Sequence, residues 1–200
     1  MTDTKQKIMQ AARHLFAKQG LQGASMREIS QLADVNLAAI NYHFQSKEQL
    51  YMAVITEFFE RMFAAMGSLE GTAPGEEENY IRNFVDHHFR MLFHNDKELE
   101  LIIARELAVQ SERRAQLCQQ FFAPGLCTLV AVIRSGIDSG RFRAVDPGLA
   151  SLSLVGMCVF YANKREMIGN LIGTDTYSDD FRDRAARHTA ELFLQGIRSK

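Results

Sequence analysis

Apolar residues recur at three- and four-residue spacing along nearly all of this 200-residue chain. That spacing lines up apolar side chains on one face of an α-helix, whereas a half-buried strand needs strict alternation. No sustained alternating or β-branched stretch is present. The pattern therefore predicts an all-α protein with about nine helices.

Composition places the chain among ordinary soluble globular proteins, with 46% hydrophobic and 24% charged residues. The first residues are polar or charged, and nowhere do about 18 apolar residues follow one another. We therefore expect neither a signal peptide nor a membrane span. The expected location is the cytoplasm, in association with the nucleoid.

An enzyme finds little support in the sequence. There is no HExxH, no phosphate-binding glycine loop and no G-x-S-x-G. Three histidines are not spaced to complete a metal-binding helix face: His87, His88 and His94. Three cysteines lack CxxC spacing and are expected in the core: Cys118, Cys127 and Cys158. We expect no catalysis, no metal and no cofactor.

Charge is unevenly spread along the chain. The whole chain carries −1, but residues 1–50 hold six Lys or Arg against four Asp or Glu. Their net charge is +2, so residues 51–200 carry −3. The sign of this mild asymmetry suits an N-terminal segment that faces DNA.

The first predicted helix spans 4–19. Its apolar stripe comprises Ile8, Ala12, Leu15 and Phe16. Gly20 is well placed to end the helix in a left-handed turn, which glycine adopts without steric cost.

Two short helices follow, over 26–33 and 37–43. Ser25 and Glu28 have the spacing of a capping box before the first, and Asn36 is placed to cap the second. Two residues are predicted to pack the second of these helices against the others: Ile40 and Phe44. Because the turn between them is so short, the pair predicts a helix-turn-helix.

A second capping box, from Ser46 to Gln49, begins a bridging helix over 46–68. Its apolar stripe comprises Leu50, Val54, Phe58 and Met62. Residues 67–79 mix glycine, proline and acid, which is typical of a loop. The domain boundary is therefore expected inside or after the bridging helix.

The remaining segments are also helical. Further helices are predicted over 79–94, 96–110, 112–138, 147–172 and 178–197. Pro124 is expected to kink the third of these or divide it in two, because proline cannot donate the helical hydrogen bond.

Residues 25–50 carry the most specific motif, and it resembles the TetR/AcrR repressor family. The matching features are a Phe followed by Gly20, Ile29-Ser30-x-x-Ala33, Val35-Asn36, Asn41-Tyr42-His43-Phe44 and Ser46-Lys47-Glu48-x-Leu50. Many relatives have tyrosine where this chain has Asn41. The resemblance implies a three-helix DNA-binding domain over 1–50 and a larger helical bundle over 51–200 for ligand sensing and dimerisation.

The second short helix has small residues on its outer face, as a helix deep in the major groove needs. Its Leu37, Ala38 and Ala39 are predicted to meet thymine methyl groups, and the alternative for Leu37 is packing within the domain. Hydrogen bonds to base edges are predicted for Arg27 and Asn41. Phosphate contacts are predicted for Ser25, Tyr42, His43 and Lys47. Asn36, at the start of the helix, completes the predicted DNA-binding set.

A homodimer is expected to form through the last two helices. The spacing of Gly136, Gly140, Phe142 and Asp146 resembles the connection that precedes helix eight of the family, where the last two long helices form a four-helix bundle. Helix 147–172 carries apolar residues on more than one face: Leu152, Leu154, Val155, Met157, Cys158, Val159 and Tyr161. The final helix adds Ala186, Leu192, Phe193 and Ile197. A two-fold dimer would read two half-sites of a pseudo-palindromic operator in double-stranded DNA.

Aromatic residues with few polar neighbours predict a small-molecule effector site in the C-terminal part. Candidate lining residues are Phe84, His88, Phe89, Phe93, Arg105, Phe121, Phe122, Met157 and Phe160. For each phenylalanine the alternative is core packing, and for Arg105 it is a solvated surface position. An inward Arg105 would favour an anionic effector.

These features together predict a ligand-responsive transcriptional regulator, and the family resemblance implies a repressor. Ligand binding is expected to shift the bridging helix and change the spacing of the reading helices from about 34–36 Å, which releases the operator. The alternative is a helix-turn-helix regulator controlled by a protein partner or by no ligand.

Overall fold

The computed structural model describes residues 3–66, 75–93 and 97–199. Over these residues the chain is helical, with no β-strand and one isolated bridge between Phe142 and Arg198. The prediction of an all-α protein is confirmed. Several predictions lie outside the described residues: most of the loop 67–79, the helix ends at 68, 94 and 96, and His94.

The N-terminal helices are α1 (Asp3–Gly23), α2 (Met26–Leu32), α3 (Leu37–His43) and α4 (Lys47–Met66). Their positions match the predicted segments to within a few residues. α1 has a kink at Gly20, whose φ is 72°, and one more turn follows it. The predicted end of the regular helix at Gly20 is therefore correct, because a side chain would strain this backbone conformation.

The later helices are α5 (Glu77–Phe93), α6 (Lys97–Ala108), α7 (Glu112–Leu117), α8 (Ala123–Asp138), α9 (Pro147–Asn163), α10 (Arg165–Ile172) and α11 (Asp179–Ile197). α7 continues into α8 through a π-helical turn, Cys118–Phe122. With that run counted as one helix, the described residues form ten helices, one more than predicted.

The kink predicted at Pro124 takes the form of this π-helical turn. Proline has no N–H to donate and its ring crowds the carbonyl four residues earlier. A wider turn just before the proline accommodates both constraints. The run is therefore distorted but not broken.

The extra helix comes from a break at Lys164, where φ is −117° and ψ is 19°. The prediction of one helix over 147–172 was wrong at this point. The buried Arg165 side chain lies between the rings of Phe93 and Tyr177, at 4.9 and 5.0 Å from their centroids. Its Nε also donates to the Ala162 carbonyl (3.3 Å), at the end of α9. A long-range packing contact thus ends α9, and the local apolar pattern does not reveal it.

α4 also departs from prediction in two details. Ser46 accepts from the Gln49 N–H, but the Gln49 side chain accepts from the Gln45 N–H, so only half of the predicted capping box forms. Leu50 and Val54 are buried as predicted. Ile55 and Phe59 are buried as well, whereas the predicted Phe58 is only half-buried. The side chain of Met62 lies outside the described part.

The chain forms two compact units. The first comprises Met1–Ala65 and Asn95–Cys118, so α6 and α7 pack with the N-terminal helices. Its core includes the predicted stripe of α1 together with Ile29, Ile40, Leu50, Leu99 and Ile102. Phe16 and Tyr51 meet edge to face, with ring centroids 5.1 Å apart. The functional boundary near residue 50 stays a prediction.

The second unit comprises Met66–His94 and Gln119–Lys200. α11 packs along α5, and α9 contacts α5, α8 and α11. After α8 the chain turns at Gly140, with φ 76°, and brings the buried Phe142 ring onto Gly136. The glycine spacing noted in the sequence therefore serves a tight turn and a close contact.

One helical run, Glu112–Asp138, has the length and apolar character of a membrane-crossing helix, with a mean hydropathy of 1.4 in its most apolar window. Core helices of soluble proteins pass the same test, so the observation is weak evidence for a membrane.

Candidate DNA-binding surface

α2 begins with a complete capping box. The Ser25 hydroxyl accepts from the Glu28 N–H (3.2 Å), while the Glu28 carboxylate accepts from the Ser25 hydroxyl (2.7 Å) and N–H (3.0 Å). These hydrogen bonds lower the pKa of Glu28 below its ordinary value, and the bond from the Ser25 hydroxyl has the largest effect. The predicted box is confirmed, and it fixes the turn that carries the exposed Arg27.

The connection between α2 and α3 is held by backbone hydrogen bonds. Asp34 has a φ of 51°, a left-handed conformation that aspartate tolerates better than most residues. The Val35 N–H donates to the Ser30 carbonyl (3.0 Å). Asn36 then caps α3, because its Oδ1 accepts from the Ala39 N–H (2.6 Å). The predicted cap is confirmed, and the turn sets the angle between the two helices.

α3 has one buried and one outward face. Ile40 is fully buried and Phe44 exposes only 5%, as predicted. The outward face consists of the exposed Ala38, Asn41 and Tyr42 with the half-buried Leu37, Ala39 and His43. Tyr42 exposes 85% of its surface, and its ring packs edge-on against His43 at 5.2 Å.

This outward face has the size and chemistry for a major groove about 12 Å wide. The Ala38 methyl adds little bulk, and the Asn41 carboxamide offers both a donor and an acceptor. Hydroxyl and imidazole groups of Tyr42 and His43 lie at its edge, where phosphate oxygens run along the duplex.

Two predicted phosphate ligands already have partners within the first unit. The Ser25 hydroxyl is engaged by Glu28. The half-buried Lys47 donates from Nζ to the carbonyls of Ala24 (2.9 Å) and Gln22 (3.4 Å). The sequence analysis did not predict a contact of Lys5, whose Nζ lies 5.8 Å from the centre of the Phe44 ring, next to the end of α3. No local pattern signalled this contact.

Three of the predicted effector residues are core residues of the second unit. Phe84, Phe89 and Phe93 line one face of α5 and are buried. His88 stacks on Phe84, with centroids 3.9 Å apart, and its Nδ1 lies 2.9 Å from the Phe84 carbonyl. Burial lowers the pKa of His88 to about 4. The imidazole is therefore neutral near pH 7, so the Nδ1–H donates to this carbonyl.

The other predicted effector residues lie in three different places. Phe121 is buried in the π-helical turn, and Phe122 exposes 38%. Met157 and Phe160 line an open groove of about 670 Å³ between α9, α10 and α11. Arg105 belongs to the first unit, is exposed, and donates to the carbonyls of Phe16 (3.2 Å) and Ala17 (2.5 Å). The structure does not show the inward orientation considered for Arg105, because its guanidinium caps carbonyls of α1.

The outer surface of α9 is apolar. Leu149, Leu152, Val159 and Phe160 expose 37–65% of their surface. Leu154 and Cys158 point instead into the core of their own unit. On α11, only Leu192 of the four residues predicted for the interface is exposed, since Ala186, Phe193 and Ile197 are core residues. Sequence reasoning missed Arg184 and His188, which line the groove with Phe160.

No cluster of three or more His, Cys, Asp or Glu side chains suitable for a metal ion occurs among the residues that the structure describes.

Both parts of the chain match models of one protein family. A family model for bacterial regulatory proteins of the tetR family matches residues 8–54, and one for the tetracyclin repressor-like C-terminal domain matches residues 78–192. The HTH-type transcriptional repressor NicS of Pseudomonas putida is 26% identical over 98% of this chain and 92% of its own length.

Solved structures share the fold. A bacterial regulatory protein of the tetR family from Rhodococcus RHA1 superposes with a TM-score of 0.76 at 21% identity, and the match covers all of both chains. AibR, solved in complex with isovaleryl coenzyme A and operator DNA, gives a TM-score of 0.71 at 18% identity over 95% of this chain and 97% of its own. Because the two family models together match most of its length, this chain belongs to the TetR family of bacterial transcriptional regulators.

Proposed function

We propose that this chain is a repressor that binds a pseudo-palindromic operator as a homodimer and leaves it when a small molecule binds the C-terminal part. The observation that carries the proposal is the outward face of α3, where small side chains and the 85%-exposed Tyr42 stand opposite the buried Ile40. Ile40 anchors the helix, so the outward side chains are presented without distorting the core.

Base reading is assigned to Arg27, Ala38 and Asn41, with Leu37 and Ala39 beside them. Arg27 is exposed in the first turn of α2 and has the planar donor pair that suits guanine. Tyr42 and His43 are assigned to phosphates at the groove edge. Asn36 acts through its cap, which orients the N-terminal turn of α3.

Dimerisation is supported by the apolar outer surface of α9, which includes Leu149, Leu152 and Phe160. Exposed apolar side chains in one continuous patch favour a protein partner. A two-fold axis would place two α3 helices on successive major grooves, about 34–36 Å apart.

An effector is supported by the relatives, whereas the α5 side chains Phe84, Phe89 and Phe93 are core residues. AibR was solved with both isovaleryl coenzyme A and operator DNA, and NicS is described as a repressor. His88, neutral near pH 7, would offer an effector a hydrogen-bonding group and not a charge. We place the protein in the cytoplasm, where operator DNA is found.

The proposal is tested by fluorescence anisotropy with labelled duplex from upstream of the chain's own gene and a scrambled duplex of equal length. Wild type is expected to prefer the upstream duplex. Arg27→Ala should weaken specific binding by about 1–3 kcal/mol for each base pair read, roughly 5- to 150-fold. Tyr42→Phe removes one hydroxyl and should weaken binding to both duplexes alike.

Lys18→Ala is the matched control, because Lys18 is an exposed cation on α1 in the same unit. It should leave the preference for the upstream duplex unchanged. Equal binding of wild type to both duplexes, or an Arg27→Ala protein with unchanged preference, would contradict the assignment of α2 and α3.

A further inference from the structure

Lys47 joins the start of α4 to the segment before α2. It is the first residue of α4, and its Nζ lies 2.9 Å from the Ala24 carbonyl oxygen and 3.4 Å from that of Gln22. The residue as a whole is half-buried. Two of its three N–H donors are therefore directed at protein carbonyls.

The turn from which Lys47 extends is itself well ordered by hydrogen bonds. The Gln49 N–H donates to the Ser46 hydroxyl (3.1 Å), and the Gln45 N–H donates to the Gln49 side chain (3.2 Å). The side chain of Leu50, one residue further, is fully buried. The ammonium is thus presented from a fixed support.

At the other end, the Ala24–Ser25 peptide is held from both sides. Its carbonyl accepts from Lys47 and its N–H donates to the Glu28 carboxylate (3.0 Å). Ala24 itself is only 2% exposed. Arg27 lies three residues after Ala24, so the position of this peptide sets where the Arg27 side chain begins.

We propose that Lys47 is a positioning residue for operator recognition: it holds the Ala24–Ser25 peptide, and through it the aim of Arg27, and does not bind a DNA phosphate. This inference rests on the proposed function of α2 and α3 as the reading unit. A Lys47 that turned to a phosphate would withdraw its donor from the carbonyl of a buried residue, at a cost in stability.

The two roles differ in which DNA they affect. A phosphate contact strengthens binding to any duplex and releases a counterion, so its loss lowers the salt slope by about 0.9 per protomer. A positioning contact acts on base reading, so its loss weakens specific binding and leaves non-specific binding and the salt slope unchanged.

The experiment compares wild type, Lys47→Met and Lys47→Gln on the upstream and scrambled duplexes across a salt series. Methionine keeps the apolar stem without a donor, whereas glutamine keeps an uncharged donor. For Lys47→Met we expect specific affinity to fall about tenfold, the scale of one charge-assisted hydrogen bond, with scrambled-duplex affinity and salt slope as in wild type. Lys47→Gln should recover part of the loss. Lys18→Met controls for the lost charge.

Amide hydrogen exchange of the free proteins gives an independent readout. In Lys47→Met the amides of residues 25–28 should exchange faster than in wild type, while those of α6 do not change. A reduced salt slope, equal losses on both duplexes, or unchanged exchange at residues 25–28 would overturn the inference. If wild type shows no preference between the duplexes, the proposed function fails, and the exchange comparison still decides whether Lys47 holds the peptide.

Discussion

Gly136→Ala should destabilise the second unit, because a Cβ at this position would overlap the ring of Phe142. The added atom would be 2.1, 2.4 and 2.8 Å from Cδ2, Cε2 and Cγ of that ring. Ordinary carbon contacts are about 3.5–4.0 Å, so the ring must move by more than about 1 Å.

The ring has little room to move. Phe142 exposes only 2%, and its N–H donates to the Gly136 carbonyl (2.9 Å). The following residue is also held, since the Arg143 N–H donates to the Ile197 carbonyl (2.8 Å). Backbone on both sides of the ring is therefore tied to α8 and to the end of α11.

Overpacking of a buried site costs about 1–3 kcal/mol. Alanine regains about 0.5–1 kcal/mol of helix propensity over glycine. The expected net loss is about 1–2 kcal/mol, or roughly 2–8 °C in Tm for a chain of this size. Urea unfolding followed by circular dichroism, at one fixed protein concentration, measures it.

Gly125→Ala is the matched control on the same helix. A Cβ there meets nothing within 4 Å, so this variant should be as stable as wild type or up to about 1 kcal/mol more stable. Adding Phe142→Leu to Gly136→Ala should cost less than the sum of the two single changes. Gly136→Ala with wild-type stability would refute the steric reasoning.

Three further outcomes are expected. Leu152→Glu places a charge on the outer surface of α9 and should shift the protein toward the monomer in sedimentation. Leu101→Glu, at a similarly exposed site of α6, should leave the assembly unchanged. A Leu152→Glu protein that stays dimeric would argue against this interface. His88 should show no NMR titration between pH 5 and 8, because burial lowers its pKa to about 4; a midpoint near 6.5 would contradict its burial. The two hydrogen bonds from Arg198 (2.7 and 2.6 Å) lower the pKa of Glu78 below its ordinary value near 4.5, so their stabilisation is present above that value and lost as pH falls below it. Arg198→Met should therefore flatten the acid side of the stability profile, which thermal unfolding from pH 3 to 7 checks.

Features set by neighbouring residues were predictable from the sequence. The capping box of α2, the Asn36 cap and the Gly20 turn depend on groups within about four residues, so their spacing identifies them. The bounds of α3 were predicted to the residue for this reason. Its outward face followed as well, because the buried position of Ile40 leaves Ala38 and Asn41 on the opposite side.

Features that depend on residues far apart in the chain were not predictable from the sequence. Arg105 donates to carbonyls 88 and 89 positions earlier in the chain, and Lys47 to carbonyls 23 and 25 positions earlier. A cation in a sequence has the same appearance whether it faces a phosphate, an effector or a carbonyl. The break at Lys164 likewise depends on Arg165 packing against Phe93, 72 positions earlier.

The sequence alone determined the helical class, the helix-turn-helix and the family, because periodicity, caps and a dense local motif each lie within a short stretch of the chain. Only the tertiary structure decided which apolar residues of α9 and α11 face the core and which face outward. It also decided which Lys and Arg side chains donate hydrogen bonds to backbone carbonyls. Both depend on how segments far apart in the chain pack, because packing decides which groups are buried and which hydrogen bonds they form.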